Sequence, residues 1–147
     1  MDIELKNVEK DESEFYFLIR KATIKSIIEQ YKPWDEEKEK KEIPKKINYE
    51  RDKIVFYKNK KIGLISWSEK NNIIHLGLLN ILPEYQSLGI GSKLLNDLIQ
   101  KGKEIHLDTY ENNDRAISFY KKHGFEITGH NREGTCPKVL MKRPKTA

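Results

Sequence analysis

Between the apolar run Ile73–Ile81 and a helix-periodic set at Leu94, Leu95, Leu98 and Ile99 lies Gln86-Ser87-Leu88-Gly89-Ile90-Gly91. A strand, a glycine-rich turn and a helix start, in that order, form a geometry suited to binding phosphate. The first N–H groups of a helix lack intrahelical partners, and its dipole favours negative charge there. Glycine at 89 and 91 removes the Cβ atoms that would hold a pyrophosphate away from the backbone. The same glycines also serve as plain turn residues. On the first reading, Gly89→Val is expected to weaken phosphate binding and leave thermal stability nearly intact. Two other phosphate motifs are excluded. The dinucleotide fingerprint needs a third glycine where Leu94 stands, and the P-loop needs Ser or Thr after its lysine, whereas Lys93 precedes Leu94.

Gln-x-x-Gly-x-Gly after a strand ending Ile-x-Pro resembles the acetyl-CoA-binding motif of the GNAT superfamily of acyl-CoA-dependent N-acyltransferases. Downstream, Asn113-Asp114-Arg115-Ala116-Ile117-Ser118-Phe119-Tyr120-Lys121-Lys122-His123-Gly124-Phe125 resembles that superfamily's Asn-x-x-Ala…Phe-Tyr…Gly-Phe segment. The resemblance runs from about Ile62 to Gly129. It implies acetyl-CoA as cosubstrate, and main-chain groups around Asn80 and Ile81 bonding the pantetheine arm and thioester oxygen. It also implies a pyrophosphate against the N–H groups of Leu88, Gly89, Ile90, Gly91 and Ser92. Gln86 opens the motif where family members carry Gln or Arg; with Gln the positive charge is missing, and Lys93 is placed to add one. Asn113 matches an asparagine that contacts the cofactor arm; by its residue type it also suits an Asx cap on the helix that follows. Tyr120 matches the tyrosine that protonates the departing thiolate; the alternative is that Phe119 and Tyr120 simply pack on the sheet.

Amine acylation sets four demands. The acceptor must be neutral, although a lysine-like amine has a pKa of about 10.4 and an α-amine about 8. A base or water chain must take its proton, an oxyanion must be met by donors, and the thiolate leaves better with a proton in reach. No base is assigned. Ile73–Ile81 holds no carboxylate, and its one titratable side chain, His75, reads as structural. Asp108, Glu111, Glu36, Glu37 and a water relay all stay open. No activated nucleophile is visible, so direct transfer in a ternary complex is expected.

The elements that must position these residues read as β-α-α-β-β-β-α-β-α-β-β, the order of the GNAT fold. That fold is an α/β (α+β) domain whose mixed, mostly antiparallel sheet carries helices on both faces, here over residues 1–147. Ile3 and Leu5 start a strand, and Asp11 or Ser13 offers a cap for a first helix. That helix has two apolar stripes out of phase, predicting a bend or break near Thr23. Asp35 caps a second, highly charged helix. In the family these two helices shape the acceptor side, so Tyr31 and Trp34 are expected to line its pocket, with Trp34 equally suited to anchor the core. Ile54–Tyr57 and Ile62–Ser68 pair through a turn at Asn59-Lys60. Lys70-Asn71-Asn72 turns into the central strand, and Gly102 and Gly124 end the last two helices.

Composition bounds the partners. The 147 residues carry a net charge of +5 with 35% charged residues, scattered rather than gathered in a stripe. Charge alone would suit a nucleic-acid-binding protein, but this distribution argues against it. It suits the phosphates of coenzyme A and argues mildly against polyamine acceptors. One cysteine, Cys136, forbids an internal disulfide and points to a reducing compartment. The N-terminus has no apolar signal core and no stretch is long enough to span a membrane, so a cytoplasmic protein is expected. The four histidines show no paired metal-ligand spacing, and no metal is expected. The partner expected is a small-molecule or protein amine, with the protein a monomer or homodimer. A rival of another class is a module that holds acyl-CoA without transferring it.

Overall fold

A computed structural model describes residues 1–146. The elements are β1 (Ile3–Asn7), α1 (Ser13–Ile28), α2 (Glu36–Lys46), β2 (Lys53–Tyr57), β3 (Lys60–Lys70), β4 (Ile73–Ile81), α3 (Ile90–Ile99), β5 (Glu104–Tyr110), α4 (Asp114–Lys122), β6 (Glu126–Asn131) and β7 (Lys138–Arg143). This is the expected order. The seven strands form one sheet in the order β1-β2-β3-β4-β5-β7-β6. Every pairing is antiparallel except β4 with β5.

Two apolar cores lie against the sheet. The larger packs α3 and α4, through Ile90, Leu94, Leu95, Leu98 and Tyr120, onto Ile65, Ile74, Ile105 and Met141. The smaller packs α1 and α2, through Tyr16, Phe17, Ile19 and Ile43, onto Ile54 and Leu64. Ile54 and Val55 are adjacent and belong to different cores, the alternation expected of a strand buried on both faces.

In the central strand that alternation is broken on purpose. Ser66 pairs with Leu78 and Trp67 with Leu76, so Gly77 is an extra residue, a β-bulge. Leu76 and Leu79 therefore both pack against the larger core, while Leu78 packs against the smaller. Beside the bulge, Asp52 is buried and accepts from Ser66 Oγ at 2.7 Å, the Asn48 N–H at 3.1 Å and the Tyr16 hydroxyl at 3.5 Å. That buried carboxylate ties α1 to β3 through fully partnered hydrogen bonds.

Three local expectations are corrected. Helix α1 runs unbroken through Thr23, whose hydroxyl donates to the Ile19 carbonyl at 2.8 Å. Its apolar stripe changes phase because its partners change: Tyr16, Phe17 and Ile19 face the smaller core, and Ile24 faces a cleft. Neither Asp11 nor Ser13 caps α1. A 3-10 turn at Lys10–Glu12 leads into it, with Glu12 accepting from the Glu9 N–H at 2.9 Å. The first hairpin turns at Lys58-Asn59, not Asn59-Lys60, with φ of 49° and 66° at the two positions. Two successive left-handed residues are what a tight hairpin of this hand requires. Asp35 does cap α2, accepting from the Lys38 N–H at 3.1 Å.

Candidate functional site

Strands β4 and β5 are parallel neighbours only from Ile73 to Leu76 and Glu104 to Leu107. Beyond that they part, β4 continuing to Ile81 beside β3 and β5 continuing to Tyr110 beside β7. The inner edge of β4 from Gly77 onwards has no strand partner there. Main-chain donors and acceptors along such an edge need partners from elsewhere.

At the end of β4 the chain makes a 3-10 turn over Pro83–Leu88 and enters α3 through Gly89, at φ 80°. The helix closes its first ring where the Lys93 N–H meets the Gly89 carbonyl at 3.0 Å. The N–H groups of Ile90, Gly91 and Ser92 thus have no acceptor within the helix, and no acidic side chain sits in its first turn. The two glycines differ in why they are glycine. Gly89 is required by its left-handed backbone. Gly91 has no such requirement: a Cβ there would lie 3.4 Å from the Phe119 ring, an ordinary contact. Gln86 Nε2 donates to the Ile81 carbonyl at 2.8 Å, bracing the turn against the strand end. Lys93 is ion-paired with Asp97 at 2.6 Å on the exposed face of α3, a weak pair that solvent screens.

Two cavities open from the gap between the strands. One, of about 190 Å³, reaches towards the glycine turn and is lined by Ile81, Gln86, Gly91, Asn113 and Phe119. The other, of about 210 Å³, opens between α1, β5 and β7 and is lined by Arg20, Gly77, Asp108, Tyr110 and Lys138. Six residues line both: Ile24, Leu79, Asn80, Asn113, Ala116 and Tyr120. Tyr120 is thus at the junction. Its ring is buried between Phe119 and Phe125, at 5.3 and 5.5 Å. Burial, with no opposing charge, pushes its phenol far above the ordinary value, so it stays protonated across the physiological range.

The sequence and the fold that build this cleft have matches among known proteins. The family model described as "Acetyltransferase (GNAT) family" matches residues 12–125. The chain belongs to the GNAT acetyltransferases. The spermine/spermidine N(1)-acetyltransferase of Bacillus subtilis is 39% identical over 66 residues, which are 41% of this chain and 43% of that protein. The peptidyl-lysine N-acetyltransferase YjaB of Escherichia coli is 33% identical over 57 residues, 39% of each chain. The match therefore spans about two-fifths of the length of these curated relatives. The PaiA N-acetyltransferase of Thermoplasma acidophilum, solved in complex with coenzyme A, superposes with a TM-score of 0.72. It is 22% identical and covers 98% of this chain and 99% of its own.

Of the residues to which the sequence points, this GNAT domain brings Asn80, Ile81, Gln86, Gly91, Asn113 and Tyr120 to one cavity. Leu88, Gly89, Ile90 and Ser92 lie outside its lining, along the turn at its end. Asn113 caps α4, accepting from the Ala116 N–H at 3.2 Å while lining the cavity. Tyr31 and Trp34 line neither cavity; Trp34 packs on Phe17 with centroids 6.4 Å apart, against the smaller core. Among the carboxylates raised as bases, Glu36 is paired with Lys21 at 2.6 Å and Glu111 with Arg132 at 3.0 Å. Those cations hold both carboxyls below the usual carboxylate range, which makes them poorer bases. Asp108 is the one carboxylate lining either cavity. His75 is exposed and stacks edge-on against His106, away from both. Arg20 and Gly63 are the residues that motif reading missed. A Cβ on Gly63 would lie 2.4 Å from the Asn80 carbonyl oxygen, so glycine there sets where the end of β4 lies. The only sequence signal for it is a glycine inside a strand pattern.

Proposed function

We propose that this domain transfers the acetyl group of acetyl-CoA to a primary amine by direct attack in a ternary complex. The observation that carries the reading is the junction at Tyr120, where a cavity leading to the glycine turn meets a second one open to solvent on the other side. In this reading the pyrophosphate lies on the backbone N–H groups from Leu88 to Ser92, favoured by the helix dipole. The pantetheine arm runs along the unpartnered edge of β4 at Asn80 and Ile81, with the Asn113 amide beside it. The acceptor enters by the second cavity as the neutral amine.

The amine nitrogen bonds to the thioester carbonyl carbon, and the carbon–sulfur bond breaks. Main-chain donors on β4 meet the developing oxyanion. Tyr120 gives its hydroxyl proton to the sulfur and recovers one from the nitrogen, so one proton passes in net from amine to thiol. Burial keeps Tyr120 protonated before the sulfur leaves and also makes the phenol a weaker acid, so its proton moves only as charge develops on the sulfur. The test is calorimetric titration with acetyl-CoA, followed by thiol release against a panel of amines. Binding with release for one amine class supports the reading. Binding without release from any amine favours a module that only holds acyl-CoA, and no binding overturns the assignment of the cleft.

A further inference from the structure

The acceptor cavity carries a charge without a salt-bridge partner among the described residues. Three ionised side chains line it: Arg20 from α1, Asp108 from β5 and Lys138 from β7. Lys138 Nζ lies 3.8 Å from Asp108 and 5.2 Å from the centre of the Tyr110 ring, so those two charges largely offset each other. Arg20 has no such partner. It is half-buried, and its Nε is fully buried without a hydrogen bond. A guanidinium cannot shed its proton, so a half-buried one without a carboxylate partner favours an anion in the cavity that it lines. Its position is not accidental: it follows Tyr16 by one helical turn, and Tyr16 is bonded to the buried Asp52.

Resting on the acyl-transfer reading, we propose that the acceptor is an amine that also bears a carboxylate, and that Arg20 holds that carboxylate while the amine faces Tyr120. A planar carboxylate in the cavity matches the guanidinium fork and would pair with its terminal nitrogens. A polyamine would meet the opposite situation: an unpaired cation, and a single carboxylate already shared with Lys138.

The experiment is thiol release from acetyl-CoA with the common amino acids, their carboxamides, Ala-Asp and Ala-Lys dipeptide amides, and spermidine. Acids should exceed their own carboxamides in kcat/KM by about 10–100-fold, the range of one charge-assisted hydrogen-bonded pair. The dipeptide amides tell a free amino acid from an acidic peptide as the source of the carboxylate. In Arg20→Gln the acid-to-amide ratio should fall towards one, through KM, and Arg20→Lys should keep part of it. Acetyl-CoA affinity in both variants reports that they fold. A wild-type ratio of one, a preference for spermidine, or an undiminished ratio in Arg20→Gln overturns this inference and leaves acyl transfer standing. Failure to bind acetyl-CoA, or binding without release from any amine, overturns both.

Discussion

The two cavities that meet at Tyr120 are built from different materials. The one towards the glycine turn runs along a strand edge without a partner, with the left-handed Gly89 and the open start of α3 beyond its end. The one towards α1 is made of side chains from elements far apart in sequence, Arg20, Asp108 and Lys138 among them. On the acyl-transfer reading, the first would hold the cofactor and the second the acceptor.

The largest test of that division is the residue common to both sides. Tyr120→Phe should lower kcat by about 10²–10⁴-fold with acetyl-CoA affinity little changed. An unchanged kcat would make Tyr120 a packing residue and dissolve the junction. Next is Gly63→Ala. Its Cβ would press on the Asn80 carbonyl, so about 1–3 kcal/mol of stability and a measurable share of acetyl-CoA affinity should go together. Denaturant unfolding and calorimetry that leave both intact would mean that the strand end is compliant.

Gly89 bears on whether its role is shape or approach. The expectation that Gly89→Val spares stability does not survive a φ of 80°, since a β-branched residue there carries about 1–3 kcal/mol of strain. Gly89→Asn, which tolerates that conformation, is the cleaner probe. Loss of acetyl-CoA affinity at constant melting temperature would assign the residue to ligand approach. A smaller effect is due at Asn113. Removing the cap in Asn113→Ala should cost about 0.5–2 kcal/mol, while Asn113→Asp keeps the cap and isolates any contact with the cofactor arm.

The smallest effect is alkaline. Burial first, and then the Asp52 charge, push the Tyr16 phenol up to about 12, against about 10 in an unfolded chain. The folded state thus holds this proton more tightly. Its contribution is complete below pH 10 and is lost as the pH climbs from 10 towards 12. Melting temperature followed across that window should fall less in Tyr16→Phe than in the wild type.

The main-chain half of the cleft was the legible half. A glycine turn declares itself locally, because Gly89 and the leucines of α3 are a few residues apart and their spacing follows from helix geometry. The order of elements along the chain was legible for the same reason. Arg20 was not, because its meaning depends on β5 and β7, about ninety residues or more downstream. The bulge at Gly77 was hidden as well: the apolar run around it reads as continuous, and only the register with Ser66 and Trp67 exposes the extra residue. Trp34 stayed ambiguous in the sequence because an aromatic residue before a helix cap fits a core and a pocket wall equally well.

The ladder joining β4 to β5 holds four residue pairs, fewer than any other in the sheet. Mechanically, β1 to β4 form one leaf and β5 to β7 another, joined by a seam four residues long and by the larger core, which packs against both. The cavities lie where the leaves part, and a ligand that bridges them acts as a wedge fixing the angle of opening. Slow amide exchange at Ile74 and Ile105 would therefore report the stiffness of the whole molecule, and it should slow further when both cavities are filled.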